Sequence, residues 1–114
     1  MGYTRLNRGE YYEAEWTAQS ASASLTQLTG ALTLPAGVYV IDLMVPVVSV
    51  LSGAPTFGLR GVTNHWQQGV AAQGTLTWVV RLTSATQVYG CTGSGASMEF
   101  SYTERGGLRA VRVG

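Results

Sequence analysis

The segment Leu32–Leu51, LTLPAGVYVIDLMVPVVSVL, carries the longest apolar run in the chain. It consists of two extended stretches hinged at Pro35-Ala36-Gly37. Proline pre-sets φ for an early turn position, and glycine accepts the conformation that closes the turn. If Val38–Leu51 is a strand, Val38, Val40, Met44 and Val48 lie on one face. Tyr39, Ile41, Leu43, Val45 and Val47 lie on the other. A strand with one wet face alternates apolar and polar residues. Here Asp42 alone interrupts the apolar run from Val38 to Val45. Both faces are therefore expected to be covered, one by the domain's own core and the other by a second layer or a partner subunit. Asp42 must reach water at a rim or meet an arginine, Arg60 and Arg81 being the nearest candidates. Pro46 cannot donate to a ladder, so a bulge or an exposed edge is expected there.

The composition bounds what surrounds this segment. The chain has 114 residues, the size of one domain, and a chain of this length buries roughly two-thirds of its unfolded surface. Charged residues make up 11%, against about 25% in ordinary soluble domains. With so few charges to spread over the outside, part of the surface is expected to be interface. Seven basic and six acidic residues leave a formal charge of +1, which predicts no attraction to nucleic acid or to an anionic membrane. All seven basic residues are arginines. That fits a GC-rich coding genome, and arginine also suits interfaces better than lysine. Cys91 is the only cysteine, so no intrachain disulfide can form. No secretory leader and no run of about 18 apolar residues is visible. The expectation is a soluble protein made in a cytoplasm.

Residues 1–9 have no apolar period and read as an arm, with residues 10–114 as the domain. Glu10–Ala18 alternates, Tyr12, Ala14, Trp16 and Ala18 against Tyr11, Glu13, Glu15 and Thr17, the pattern of a half-buried strand. Thr75–Thr83 alternates in the same way, with Leu76, Trp78, Val80 and Leu82 on one face. Further short strands are expected around Leu25–Leu34, Thr56–Thr63, Gln87–Cys91, Ala96–Thr103 and Leu108–Val113, and Glu104–Gly107 reads as a hairpin turn. No amphipathic helical stripe occurs. The expected fold is all-β: an antiparallel β-sandwich or jelly roll of about eight short strands.

Three stretches in this order resemble a known family. Leu34-Pro35-Ala36-Gly37-Val38-Tyr39-Val40-Ile41 is similar to the strand signature of complement and tumour-necrosis-factor-like jelly rolls. Val79–Leu82 followed by Gln87-Val88-Tyr89 resembles that family's paired late strands, and Phe100-Ser101 its closing motif. The ending Leu108–Val113 is similar to the last strand of bacteriophage virion proteins with this fold. The resemblance spans about residues 30–113. It implies a homotrimer, with Tyr39 and Ile41, or Leu43 and Val45, at the threefold axis or in the core. The calcium-ligating carboxylates of some members and a collagen-like stalk have no counterparts here.

No catalytic constellation emerges from the residues. His65 is the only histidine, so one chain cannot assemble an ordinary zinc site, and no metal or other cofactor is expected. Cys91 as a nucleophile would need a base, and a buried inert thiol is the commoner state. Glu10, Glu13 and Glu15 form an acidic strand face rather than a glycosidase pair. The expectation is a protein that is not an enzyme. The leading function is a structural bacteriophage protein, a trimeric decoration or minor capsid protein on the virion. Tyr3, Arg5 and Arg8 would dock it to the major capsid protein. The alternative is a tail-fibre or tail-tip receptor-binding module. There Asn64-His65-Trp66-Gln67 would hold a bacterial surface glycan, a tryptophan ring stacking on the sugar and amides bonding its hydroxyls.

Overall fold

The computed structural model describes residues 10–22, 25–62, 66–68, 74–93 and 95–114. These residues form twelve strands: β1 (Tyr11–Glu15), β2 (Ser20–Ala21), β3 (Thr26–Gln27), β4 (Leu32–Leu34), β5 (Gly37–Val45), β6 (Val47–Ser52), β7 (Thr56–Arg60), β8 (Trp66–Gln68), β9 (Gly74–Leu82), β10 (Thr86–Thr92), β11 (Ser97–Ser101) and β12 (Gly107–Arg112). A 3₁₀ turn, Thr103–Arg105, leads into β12. The expected all-β, antiparallel sandwich is present, with twelve strands in place of about eight. The excess is made of pieces two or three residues long, β2, β3, β4 and β8, too short to show any period in the sequence.

One layer is a four-stranded sheet in the order β1-β12-β5-β9. The other is split between a sheet ordered β3-β10-β7-β8, with β4 also on β10, and a three-stranded sheet β2-β11-β6. The segment that dominates the sequence runs through both layers. β5 lies between β12 and β9, and after Pro46 the chain continues as β6 in a different sheet, paired with β11. Proline has no N–H to give to either ladder, so it sits where the strand changes sheets, the way corners of sandwiches are made. Val45 and Pro46 are both buried, which shifts the alternation by one residue. Val48 is consequently buried and Val47 half-buried. The two-face assignment made from the sequence therefore holds up to Val45 and inverts beyond it.

The core lies between the layers. Tyr39, Ile41, Leu43, Leu108 and Ala110 from the four-stranded sheet meet Leu34, Phe57, Leu59, Val88 and Met98 from the other two, all essentially without solvent contact. The Pro35 turn is closed by the strand it starts: the Tyr39 hydroxyl donates to the Pro35 carbonyl at 2.8 Å. A buried phenol needs such a partner, and here it is supplied four residues back.

Candidate functional site

The residues singled out from the sequence fall in different places. Tyr39, Ile41, Leu43 and Val45 all point into the protomer's own core. Tyr3, Arg5 and Arg8, and also Asn64 and His65, lie outside the described residues. Trp66 and Gln67 belong to β8, whose backbone pairs with Gly58 and Phe57 of β7. Asp42 meets neither Arg60 nor Arg81. It accepts a hydrogen bond from Thr77 Oγ1 at 2.7 Å, because the β5–β9 register sets the two directly opposite. Across the other edge of β5 its opposite number is Arg109.

Cys91 is buried on β10, its thiol directed at the Gly58 carbonyl at 3.6 Å. Burial pushes the thiol up to about 11, with Arg60 opposing the shift weakly, so at neutral pH it is not a thiolate. Burial also raises the Tyr39 phenol, and the neighbouring Tyr12 adds to the rise. Glu10 pairs with Arg112 at 2.8 Å, tying the end of β12 to the residue before β1. Among the described residues no group of three or more His, Cys, Asp or Glu is placed to hold a metal ion.

A cleft opens at one end of the four-stranded sheet. Its walls are Glu13-Ala14-Glu15-Trp16 of β1 and the residue after it, Met44 of β5, and Thr103 to Leu108, the 3₁₀ turn with the start of β12. Two lobes of about 360 and 580 Å³ share Glu15, Glu104 and Gly106, in the range of small-ligand sites. The pairing of Ala14 with Leu108 and Glu15 with Gly107 fixes the two walls against each other. The floor is firm. Trp16 packs edge-on against Phe100, with ring centroids 4.9 Å apart, and its indole N–H donates to the Ala18 carbonyl at 2.8 Å. Gly106 must be bare, since a Cβ there would stand 2.8 Å from Pro46 Cδ and 3.0 Å from Trp16 Cε3.

The turn that roofs this cleft starts from an unusual residue. Tyr102 has φ 56° and ψ 47°, the left-handed region that a bulky side chain enters only under constraint. The residue is 58% exposed, and the Arg105 guanidinium stands over its ring at 4.9 Å from the centroid, a cation–π contact. The cleft thus carries three carboxylates, Glu13, Glu15 and Glu104, against one guanidinium, Arg105. Such a set repels anions and accepts hydrogen bonds from hydroxyl-bearing neutral molecules. Of these residues only Glu13 and Glu15 stand out in the sequence, as part of an acidic strand face and not as a cleft wall. Glu104–Gly107 read as an ordinary hairpin turn, and nothing in the letters marks Tyr102 as left-handed.

No family model matches the sequence, and no curated protein does. Among solved structures, the fold is similar to the C-terminal family 6 carbohydrate-binding module of LamC, a marine laminarinase from Zobellia galactanivorans. The two share 12% identity with a TM-score of 0.49, over 90% of this chain and all of that one. The likeness is one of β-sandwich fold.

The resemblance to complement and tumour-necrosis-factor-like jelly rolls is corrected: the solved structure found to be similar is a family 6 carbohydrate-binding module, not a member of that family. The local geometry explains the false lead. Pro-Ala-Gly-Val-Tyr is a self-contained device, a turn capped by the hydroxyl of the first inward tyrosine, open to any strand that enters a core this way. The supposed paired late strands are not paired either. β9 bonds to β5, and β10 bonds to β7, β3 and β4 in the opposite layer.

Proposed function

We propose that this β-sandwich is a non-catalytic recognition module whose end cleft binds a neutral glycan. The observation that carries the reading is Tyr102, an exposed aromatic ring held in a strained backbone conformation on the turn beside a carboxylate-lined cleft. Strain of about 1–3 kcal/mol is retained where the surroundings over-determine it, and such residues cluster at ligand sites. A tyrosine ring offers an apolar platform for the face of a sugar. Glu13, Glu15 and Glu104 accept from its hydroxyls, and the acidic balance selects against sulfated, phosphorylated or uronic-acid glycans.

In this reading the partner is a polysaccharide on a bacterial surface and the carrier is a virion, as in the receptor-binding alternative drawn from the sequence. Capsid decoration draws on Tyr3, Arg5 and Arg8, outside the described residues, and no feature of the described fold favours it.

Calorimetric titration of the full chain with neutral and acidic oligosaccharides tests the proposal. Neutral oligosaccharides are expected to bind, and Tyr102→Ala to weaken binding by about tenfold, the worth of ~1.4 kcal/mol. Binding confined to acidic sugars, or no binding by any, would sink it. Binding lost in Trp66→Ala but unchanged in Tyr102→Ala would move the site to β8.

A further inference from the structure

The outer face of the four-stranded sheet carries an apolar stripe that the core does not use. The cross-strand registers resolve it into rows. Tyr11, Val111, Val40 and Val79 stand side by side across β1, β12, β5 and β9. The next row in one direction is Glu13, Arg109, Asp42 and Thr77. The apolar row is not covered within the protomer: Tyr11 is 48% and Val79 67% exposed, and Val40 and Val111 are half-buried. A solvated sheet face would be polar at these positions. An open apolar stripe in a chain with 11% charged residues is a contact surface.

The charges beside the stripe say what covers it. Arg109 and Asp42 occupy neighbouring positions on the two central strands, and Arg109 makes no ion pair among the described residues. Consider a two-fold axis running parallel to the strands between β12 and β5. It lays the sheet against a copy of itself and exchanges β12 with β5 and β1 with β9. Val111 then faces the copy's Val40, and Tyr11 faces the copy's Val79. In the next row Arg109 faces the copy's Asp42, and Asp42 the copy's Arg109. The stripe is self-complementary in shape class and the charged pair is self-complementary in sign, as an isologous interface requires. Sheets stacked face to face in this way sit about 10 Å apart with strands near alignment.

We infer that the outer face of β1-β12-β5-β9 is a self-association surface that binds a second copy of this chain, sheet on sheet, about a two-fold axis. The inference rests on the rows through Val40 and Asp42 and its test uses no glycan, although Glu13, at the end of the second row, also lines the cleft.

Sedimentation velocity of the full chain over a concentration series reads the stoichiometry. A monomer–dimer equilibrium is expected, and Val79→Arg, at an exposed position, should raise the dimer dissociation constant at least about tenfold while the melting temperature of dilute protein stays put. The decisive arm uses charge reversal. Arg109→Asp and Asp42→Arg each place like charges across the interface, so each chain alone is expected to be monomeric. An equimolar mixture of the two should recover the dimer, because only contacts between chains are repaired by mixing. If one reversal fails to fold, Val79→Arg with Arg109→Glu keeps the test, both expected to weaken the dimer. A protein that stays monomeric at millimolar concentration overturns the inference. So does a trimer, or an association that Val79→Arg leaves intact.

Discussion

Leu43 fills the space that a side chain on Gly90 would need. A Cβ added to Gly90 would lie 2.6 Å from Leu43 Cδ1, and both residues are buried at the centre of the sandwich. The two layers therefore touch by a leucine seated on bare backbone, and Gly90 is fixed by packing rather than by its dihedral freedom. Gly90→Ala is expected to destabilise by about 1–3 kcal/mol through overpacking, and Leu43→Ala by about 2–5 kcal/mol through the cavity it leaves. The double variant should cost less than the sum, since the alanine methyl at 90 enters the space vacated at 43. Urea melts of the four proteins measure this coupling, and additive costs would show that the contact is not as described.

Thr92 offers a gain. Its hydroxyl is buried and has no hydrogen-bond partner among the described residues. Thr92→Val keeps the branched shape and removes the unsatisfied oxygen, so it should stabilise by about 1 kcal/mol. A fall in the denaturation midpoint would mean that the hydroxyl is satisfied in solution.

Alkaline pH should weaken the fold through Cys91. A thiol titrates at about 8.5 in an unfolded chain and at about 11 here. The folded state holds the proton more tightly, so the contribution is complete below about pH 8.5 and is lost as pH rises towards 11. The raised phenol of Tyr39 acts in the same direction at higher pH. Urea midpoints of the parent and of Cys91→Ala between pH 8 and 10.5 test this. The parent should fall more steeply, and parallel curves would contradict the assignment.

Tyr102 couples stability against binding. Replacement by Asn, which tolerates the left-handed region far better, removes strain of about 1–3 kcal/mol and forfeits a cation–π contact of about 0.5–1 kcal/mol. The variant should be as stable as the parent or more so, while losing glycan affinity. A clear drop in melting temperature would show that the ring is there for the fold.

The inward face of β5 was legible because the period of two survives along Tyr39, Ile41, Leu43 and Val45 whatever the strand pairs with. The crossing at Pro46 was visible only as a break, since the letters announce a lost donor and not the sheet that the next residue joins. The connection between β9 and β10 was misread for a related reason. Ser84-Ala85 can close a hairpin or carry the chain between layers, and the choice lies in long-range pairing. The same holds for Asp42, which the registers set between Thr77 and Arg109 and not beside Arg60 or Arg81. The cleft was least legible of all. It depends on Glu15 meeting Gly107, far along the chain, and on a backbone conformation at Tyr102 that no local pattern encodes.

The passage of one run of chain through Pro46 has a dynamic consequence. β5 and β6 are joined by a single residue, so the layers are stitched together at the strand that holds β12 and β9 in place. Opening the sandwich at that corner pulls on the middle of the four-stranded sheet, and losing the middle releases both neighbours. Partial openings are thereby confined to the margins, such as β1 and the short strands. The amides of Tyr39, Ile41 and Leu43 should exchange with solvent only when the whole domain unfolds, as one cooperative unit.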